Sequence, residues 1–426
     1  MTMHAYAPRT RFELPENLTA TEPPEHRGLS RDGVRLLVAE AGPSAGNPDA
    51  EAVRSAGGPD AEAVRSVVNP DAGAVRSVVN PDAGAVRSAG NPDAGGPDAG
   101  DADAGDIDGV RLTHSRFREL GRHLEPGDLV VVNTSKTIAG EIDAVGDGGW
   151  PVVLHVASPL ADGSWVVELR TAPDAALPLL TAHPDEVFRL PAGVRLRLLA
   201  PYPEHAASPT GQGNRLWRAK VTGGLPFADY LLRHGRPISY GYLRGHWPLS
   251  DYQTVFAQHP GSAEMPSAGR PFTPELVTDL ISRGIAFAPI TLHTGVSSQD
   301  AGEPPQAERF EVPAATARLV NATRLGGGRV VAVGTTVTRA LESAAGPDGW
   351  LSPASGWTEL VIGPEHPARV VTGLITGLHN PDASHLLLVE SIAGPRLTQR
   401  AYDEAVRAGY LWHEFGDSCL LLGERS

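Results

Sequence analysis

A single cysteine, Cys419, occurs in 426 residues, so neither a disulfide framework nor a cysteine-rich zinc site can be assembled, and the fold has to stand on packing alone. No run of eighteen apolar residues is present, which leaves no spanning helix to propose. The first residues, Met1 to Arg11, lack the basic patch followed by an apolar core that a secretory signal needs. The expected location is the cytoplasm, with no membrane partner. An excess of positive charge is missing too. The formal net charge is −14, which argues against a broad basic face for non-specific nucleic-acid binding. Twelve Asp/Glu and four Arg between Ser44 and Asp108 supply −8 of that total, leaving −6 for the rest. A structured RNA could still dock on a local cluster such as Arg233, Arg236 and Arg244, which otherwise reads as three solvated arginines.

What the chain does have is 41% apolar residues over a length that suits two ordinary domains, a soluble globular enzyme being the default. Its clearest internal feature is an eleven-residue tandem repeat beginning at Asn47, Gly58, Asn69 and Asn80 and running out after Asn91. Each copy reads close to N-P-D-A-x-A-V-R-S-x-x. Eleven-residue apolar repeats can drive a helical supercoil, but a proline in every copy breaks a continuous helix. With Ala, Gly, Pro and Asp dominating residues 44–108, too little apolar surface is available to offset the entropy of ordering the segment, and disorder is expected.

The flanks read as continuous across this insertion. Val34 to Ala39 predicts a strand and Gly109 to Thr113 a returning one, followed by a short helix from Ser115 to Leu124 and a buried strand from Leu129 to Asn133. From Lys136 to Gly224 the pattern changes to short alternating strands, at Ala139 to Ala144, Val152 to Ala157, Trp165 to Arg170, Val194 to Leu199 and Arg215 to Val221. Such spacing without helices predicts a small antiparallel barrel or sandwich inserted into a larger domain. Beyond Pro226 helix and strand alternate: helix Pro274 to Arg283, strand Ile285 to Leu292, helix Ala314 to Leu325 and strand Arg329 to Gly334. The expected fold is therefore α/β, a layered main domain (1–43, 109–135 and 225–426) with an inserted antiparallel β-barrel (136–224) and a low-complexity insertion (44–108).

Ordered stretches through the chain carry a family resemblance: Phe12 to Leu18 (FELPENL), Arg27, Pro126 to Asn133 (PGDLVVVN), Asp251 to Ala257 (DYQTVFA), Gly261 to Phe272 (GSAEMPSAGRPF), Thr291 to Gly295 (TLHTG), Ala332 to Ser343 (AVGTTVTRALES), Leu378 to Pro381 (LHNP), Ala401 to Tyr410 (AYDEAVRAGY) and Gly416 to Ser418 (GDS). In order and approximate spacing they resemble the S-adenosylmethionine:tRNA ribosyltransferase-isomerases of queuosine biosynthesis. The resemblance implies S-adenosylmethionine as co-substrate and no metal. It further implies transfer of its ribosyl part to the aminomethyl group of a 7-deazaguanine in tRNA, with adenine and methionine released and an epoxycyclopentane left behind. The sulfonium acidifies the C5′ hydrogens, so a general base can form an ylide before adenine departs and the amine attacks.

Departures from the family pattern cluster in the loops. Where P-T-A-G-L-H-F is usual the chain has Pro266-Ser267-Ala268-Gly269-Arg270-Pro271-Phe272, without the histidine; Ser267 is still expected at the substrate. The usual G-x-G-T-F-x-P-V run becomes Gly295 to Asp300, M-H-x-E survives only as Ala307-Glu308, and Glu264 stands where a small residue is usual, as a newly acquired specificity group. Two alternatives to the family reaction therefore stay open: the same donor chemistry on a small nucleoside-like acceptor or cleavage of S-adenosylmethionine itself, and a non-catalytic relative that binds RNA or nucleosides. The chain is read as a monomer.

Several residues could carry the chemistry. Gly334, Thr335 and Thr336 open a helix after a strand, a ready site for the carboxylate of S-adenosylmethionine, unless a threonine merely caps the helix. Arg339 and Glu342 either face the substrate or form an exposed i,i+3 pair. His293 and His379 follow strands and are each a candidate general base, a ribose-hydroxyl acceptor, or a structural residue. Asp417 either pairs with one of these histidines or accepts the amine's proton, or else binds its own turn.

Overall fold

A computed structural model describes residues 7–42, 102–107, 109–203, 213–223, 226–296, 306–381 and 383–423, with only the backbone described at 102–107. The repeats lie outside the described residues. The strands are β1 (Arg35–Ala41), β2 (Ala102–Ile107), β3 (Val110–Arg116), β4 (Leu129–Asn133), β5 (Ser135–Thr137), β6 (Glu141–Gly146), β7 (Pro151–Pro159), β8 (Trp165–Thr171) and β9 (Val187–Arg189). They continue as β10 (Arg195–Pro201), β11 (Leu216–Thr222), β12 (His259–Ser262), β13 (Ala286–Leu292), β14 (Glu308–Val312), β15 (Val330–Val333), β16 (Ala354–Thr358), β17 (Gly373–Gly377) and β18 (Ser418–Leu422). The helices are α1 (Phe227–His234), α2 (Pro274–Ser282), α3 (Ala314–Leu325), α4 (Thr335–Ser343), α5 (His385–Ala393) and α6 (Pro395–Arg407).

Ten strands form the main sheet in the order β16-β14-β13-β4-β15-β17-β18-β1-β3-β2. At its centre β13, β4, β15 and β17 run parallel, and β18 and β1 form a second parallel pair. The apolar run of β4 is what a strand covered on both faces requires. Leu129 and Val131 enter a core with residues of α3, α4, α5 and α6, while Val130 and Val132 pack with Phe117, Phe272, Leu276 and Leu280 on the opposite face. The entry to α2 is set locally: the Thr273 hydroxyl accepts from the Leu276 N–H at 3.1 Å, and Pro274 occupies the first turn, where its missing N–H costs nothing.

The barrel closes from six antiparallel strands in the order β10-β11-β8-β7-β6-β9, with α1 packed on its core through Phe227, Tyr230 and Leu231. Unlike that apolar core, a second buried region is ionic. His155 Nε2 lies 2.9 Å from Glu141 Oε2, Arg170 Nη1 2.7 Å from Glu168 Oε1, and Arg215 Nη1 3.2 Å from that same oxygen.

Three local expectations change. The helix expected from Ser115 begins only at Phe117, as a 3-10 turn to Arg122, because Ser115 and Arg116 still pair with β1. Part of the segment expected to be disordered is a strand: Ala102–Ile107 adds β2 to the edge of β3, and backbone pairing of that kind needs no apolar side chain. Three-residue β9 has no counterpart among the expected strands, because V-F-R is too short to show a period. Among the described residues no helix is long and apolar enough to cross a membrane.

Candidate active site

The carboxyl ends of β13, β15 and β17 open on one cavity of about 610 Å³. In an open parallel sheet this is where ligands bind, since helix N-termini and loops rather than strand edges meet there. Gly334 makes the sharp turn from β15 into α4 at φ 92°, a left-handed value that suits glycine, and its N–H is held by Ile375 O at 2.8 Å. Neither threonine caps the helix. Gly334 is the N-cap, without a side-chain cap bond, and Thr335 and Thr336 are the first two helical residues. The first N–H groups of a helix have no partner within it, so this end presents donors and two hydroxyls to the cavity. Asn133 at the end of β4 braces the neighbourhood by donating to Leu292 O at 2.8 Å and to Thr336 Oγ1 at 3.4 Å.

Arg339, one α-turn further on, is buried rather than exposed. It ion-pairs with Glu308 and donates through Nε to Leu360 O at 3.1 Å and through Nη2 to Gln306 O and Thr358 O, each at 3.2 Å. Glu342 is not its partner and does not line the cavity: its carboxylate accepts the N–H groups of Arg369, Val370 and Val371 at 2.9, 2.9 and 3.0 Å. Helical spacing placed the two residues near one another, but each found a stronger partner outside the helix. Burial pushes the Glu308 carboxyl up, with Arg339 working against it.

His379 lies on the cavity wall and His293 does not. The His293 ring sits where a Cβ on Gly261 would come within 2.4 Å of it, with Nδ1 2.8 Å from Ser135 Oγ, and burial lowers it to about 4. His379 shares a hydrogen bond with Thr376 Oγ1 at 2.9 Å and stacks on His385 with ring centroids 5.0 Å apart. Burial, reinforced by the neighbouring ring, lowers His379 to about 3, while burial and Arg339 lower His385 to about 4. Both imidazoles are therefore neutral at pH 7 and weakly basic.

Asp417 pairs with neither histidine. Its carboxylate accepts from Leu411 N at 2.8 Å and Arg35 N at 2.9 Å, so it binds its own loop and β1. That loop reaches the cavity through His413 and Glu414, which sequence reasoning missed along with Tyr240, Tyr242 and His385. Tyr242 Oη donates to Glu414 Oε2 at 2.5 Å, and Tyr240 donates in the same manner to Glu264. Tyr242 stacks between His413 at 4.3 Å and Tyr240 at 6.0 Å, giving a ladder of three rings with carboxylates at the phenol ends. Burial pushes Glu414 up to about 7, the Tyr242 hydrogen bond opposing it, and no cation among the described residues pulls it back. The Tyr240-x-Tyr242 spacing was the available signal, being the period that places two side chains on one face of an extended segment. Ser267, Glu264, Gly334, Thr335, Thr336, Arg339 and His379 share the cavity wall.

Residues 106–421 match the family described as queuosine biosynthesis protein. The chain is 34% identical over 322 residues to the S-adenosylmethionine:tRNA ribosyltransferase-isomerase of Pelobacter propionicus, covering 72% of this chain and 88% of that one. It is 35% identical to the enzyme of that name from Acidiphilium cryptum, covering 70% and 86%, and 33% identical to that of Thermus thermophilus, covering 73% and 89%. A crystal structure of S-adenosylmethionine tRNA ribosyltransferase from Thermotoga maritima aligns over 97% of this chain and 99% of that one, at 25% identity and a TM-score of 0.44.

Proposed function

Because the chain belongs to the S-adenosylmethionine:tRNA ribosyltransferase-isomerases of queuosine biosynthesis, we propose that its reaction takes place in the cavity at the carboxyl ends of β13, β15 and β17. The enzyme transfers and isomerises the ribosyl moiety of S-adenosylmethionine onto 7-aminomethyl-7-deazaguanine in tRNA. One observation carries the assignment of the site: the N-terminus of α4, His379 and the tyrosine-held carboxylates line a single cavity. The helix end suits the methionyl carboxylate of S-adenosylmethionine. Thr335 and Thr336 supply hydroxyl donors beside it, and neutral His379 is suited to a ribose hydroxyl rather than to proton abstraction. Arg339 holds Glu308 in the cavity wall, while Glu264 and Ser267 bound the space left for the acceptor. A tRNA substrate supports the cytoplasm as the location.

Pure protein incubated with S-adenosylmethionine should release adenine and methionine only when tRNA carrying the deazaguanine precursor is added. Release without tRNA would sink this acceptor. One observation favours a small acceptor as a second reading. Of the three arginines able to form a basic patch, Arg236 is spent on Glu141 and Asp143, at 2.6 and 2.8 Å. Steep loss of turnover with added salt would favour tRNA; a flat response would favour the small acceptor.

A further inference from the structure

The reaction needs a group to take a proton from C5′ of S-adenosylmethionine, and the cavity offers few. His379 and His385 are neutral, stacked on one another, and His379 is held by Thr376. The Glu308 carboxylate is committed to Arg339. Glu414 differs from these in how it is presented. His413, immediately before it, holds φ 72°, a left-handed conformation costly for a residue with a side chain. Gly416 N–H closes on His413 O at 3.0 Å, and a Cβ at Gly416 would come within 2.3 Å of Leu411 O. Asp417 fastens the other end, its carboxylate taking Leu411 N and its own N–H donating to Leu411 O at 2.8 Å. A strained, doubly pinned turn thus carries one carboxylate into the cavity, where a phenol fixes its orientation.

Resting on the site proposed above, we infer that Glu414 is the proton acceptor of the reaction and that Tyr242 and Asp417 position it. A C5′–H bond of S-adenosylmethionine breaks, its electron pair remains on C5′ beside the sulfonium as an ylide, and the proton passes to a carboxylate oxygen of Glu414. Adenine then leaves with the pair of its glycosidic bond as O4′ shares a lone pair with C1′, and the carboxyl returns the proton to adenine, so that Glu414 ends as a carboxylate. A carboxyl near neutrality suits both transfers, since it is ionised to accept and acidic enough to give back.

Turnover with precursor tRNA should separate this role from a structural one. Glu414→Gln should lose about a hundredfold or more in kcat, with the Kd for S-adenosylmethionine, measured by calorimetry, changed by less than about threefold. Glu414→Asp should recover part of the rate. The wild-type rate should fall as pH drops below about 7, and Tyr242→Phe should move that limb to higher pH, because a hydrogen bond stabilising the carboxylate is gone. Deuterium at C5′ should slow Glu414→Gln more than wild type. A kcat within about fivefold of wild type in Glu414→Gln, or a loss found wholly in the Kd, would overturn the assignment. So would a larger loss in Glu264→Gln with Glu414→Gln spared. Absence of turnover in the wild-type protein would overturn the site reading and the inference together.

Discussion

Glu168 in the barrel is sealed from water and Glu414 lines the cavity, and their surroundings drive the two carboxylates in opposite directions. Against the cost of burial, His155, whose Nδ1 lies 3.7 Å from the carboxylate, and the charges of Arg215 and Arg170 hold Glu168 down at about 2. For Glu414 burial is opposed by neutral donors alone, the Tyr242 phenol and a backbone N–H, while the Glu264 charge adds to it, and the carboxyl rises to about 7. Burial alone therefore does not determine what a carboxylate is for. A cation beside it makes the group a fixed charge, whereas a hydroxyl leaves it able to exchange a proton near neutral pH.

Removing the barrel charge should give the largest effect. Glu168→Gln leaves Arg170 and Arg215 without their shared carboxylate, and destabilisation of about 3–5 kcal/mol is expected in urea unfolding. The stability contributed by Glu168 is fully present above its ordinary 4.5 and is lost as pH falls towards about 2. His155 has the opposite sign. Although burial opposes it, Glu141 and Glu168 raise its pKa, so its contribution is complete below 6.5 and fades as pH rises through the raised value. His155→Gln should flatten that alkaline decline; an unchanged slope would remove histidine from the account.

A smaller change of opposite direction is expected in the cavity. The Glu414 pKa is raised, so its contribution is present below 4.5 and lost as pH rises through about 7. Glu414→Gln should therefore stabilise the protein at pH 8 by about 1–3 kcal/mol, while abolishing turnover. Finding it less stable than wild type at pH 8 would end the contrast with Glu168.

Smaller still is the expected stability effect at the start of α4. Since neither threonine caps the helix, Thr335→Val with Thr336→Val should shift unfolding by less than about 1 kcal/mol, yet weaken S-adenosylmethionine binding measured by calorimetry. Unchanged affinity would detach this helix end from the ligand. The smallest effect is expected from deleting residues 44–100, because loop-closure cost varies slowly with length. Extending the deletion through residue 108 removes β2 and uncovers the edge of β3, so aggregation of the longer deletion alone would give that strand a protective role.

Much of the architecture was legible in the sequence. The apolar run at 129–133, the helix at 314–325 and the short alternating strands of the barrel occur at or within a few residues of their expected bounds. Periodicity reports which faces are buried, so it survives loop divergence. The site was legible where a strand feeds a helix, at 333–336, because that geometry is local. It was not legible at 411–417, where Asp417 and Glu414 stand three residues apart and sequence alone offered no reason to prefer the second.

What the sequence by itself determined was the layered α/β plan, the barrel within it and the family, since these rest on hydrophobic pattern and on many short motifs in order. Tertiary structure decided the partner of each charge. Arg339 met Glu308 rather than Glu342, Asp417 met the backbone, and Glu414 met Tyr242 across 172 positions of chain. A charged side chain takes the best partner that folding brings within a few ångströms, and electrostatic energy depends on that distance and on exclusion of water, neither of which is written in sequence spacing.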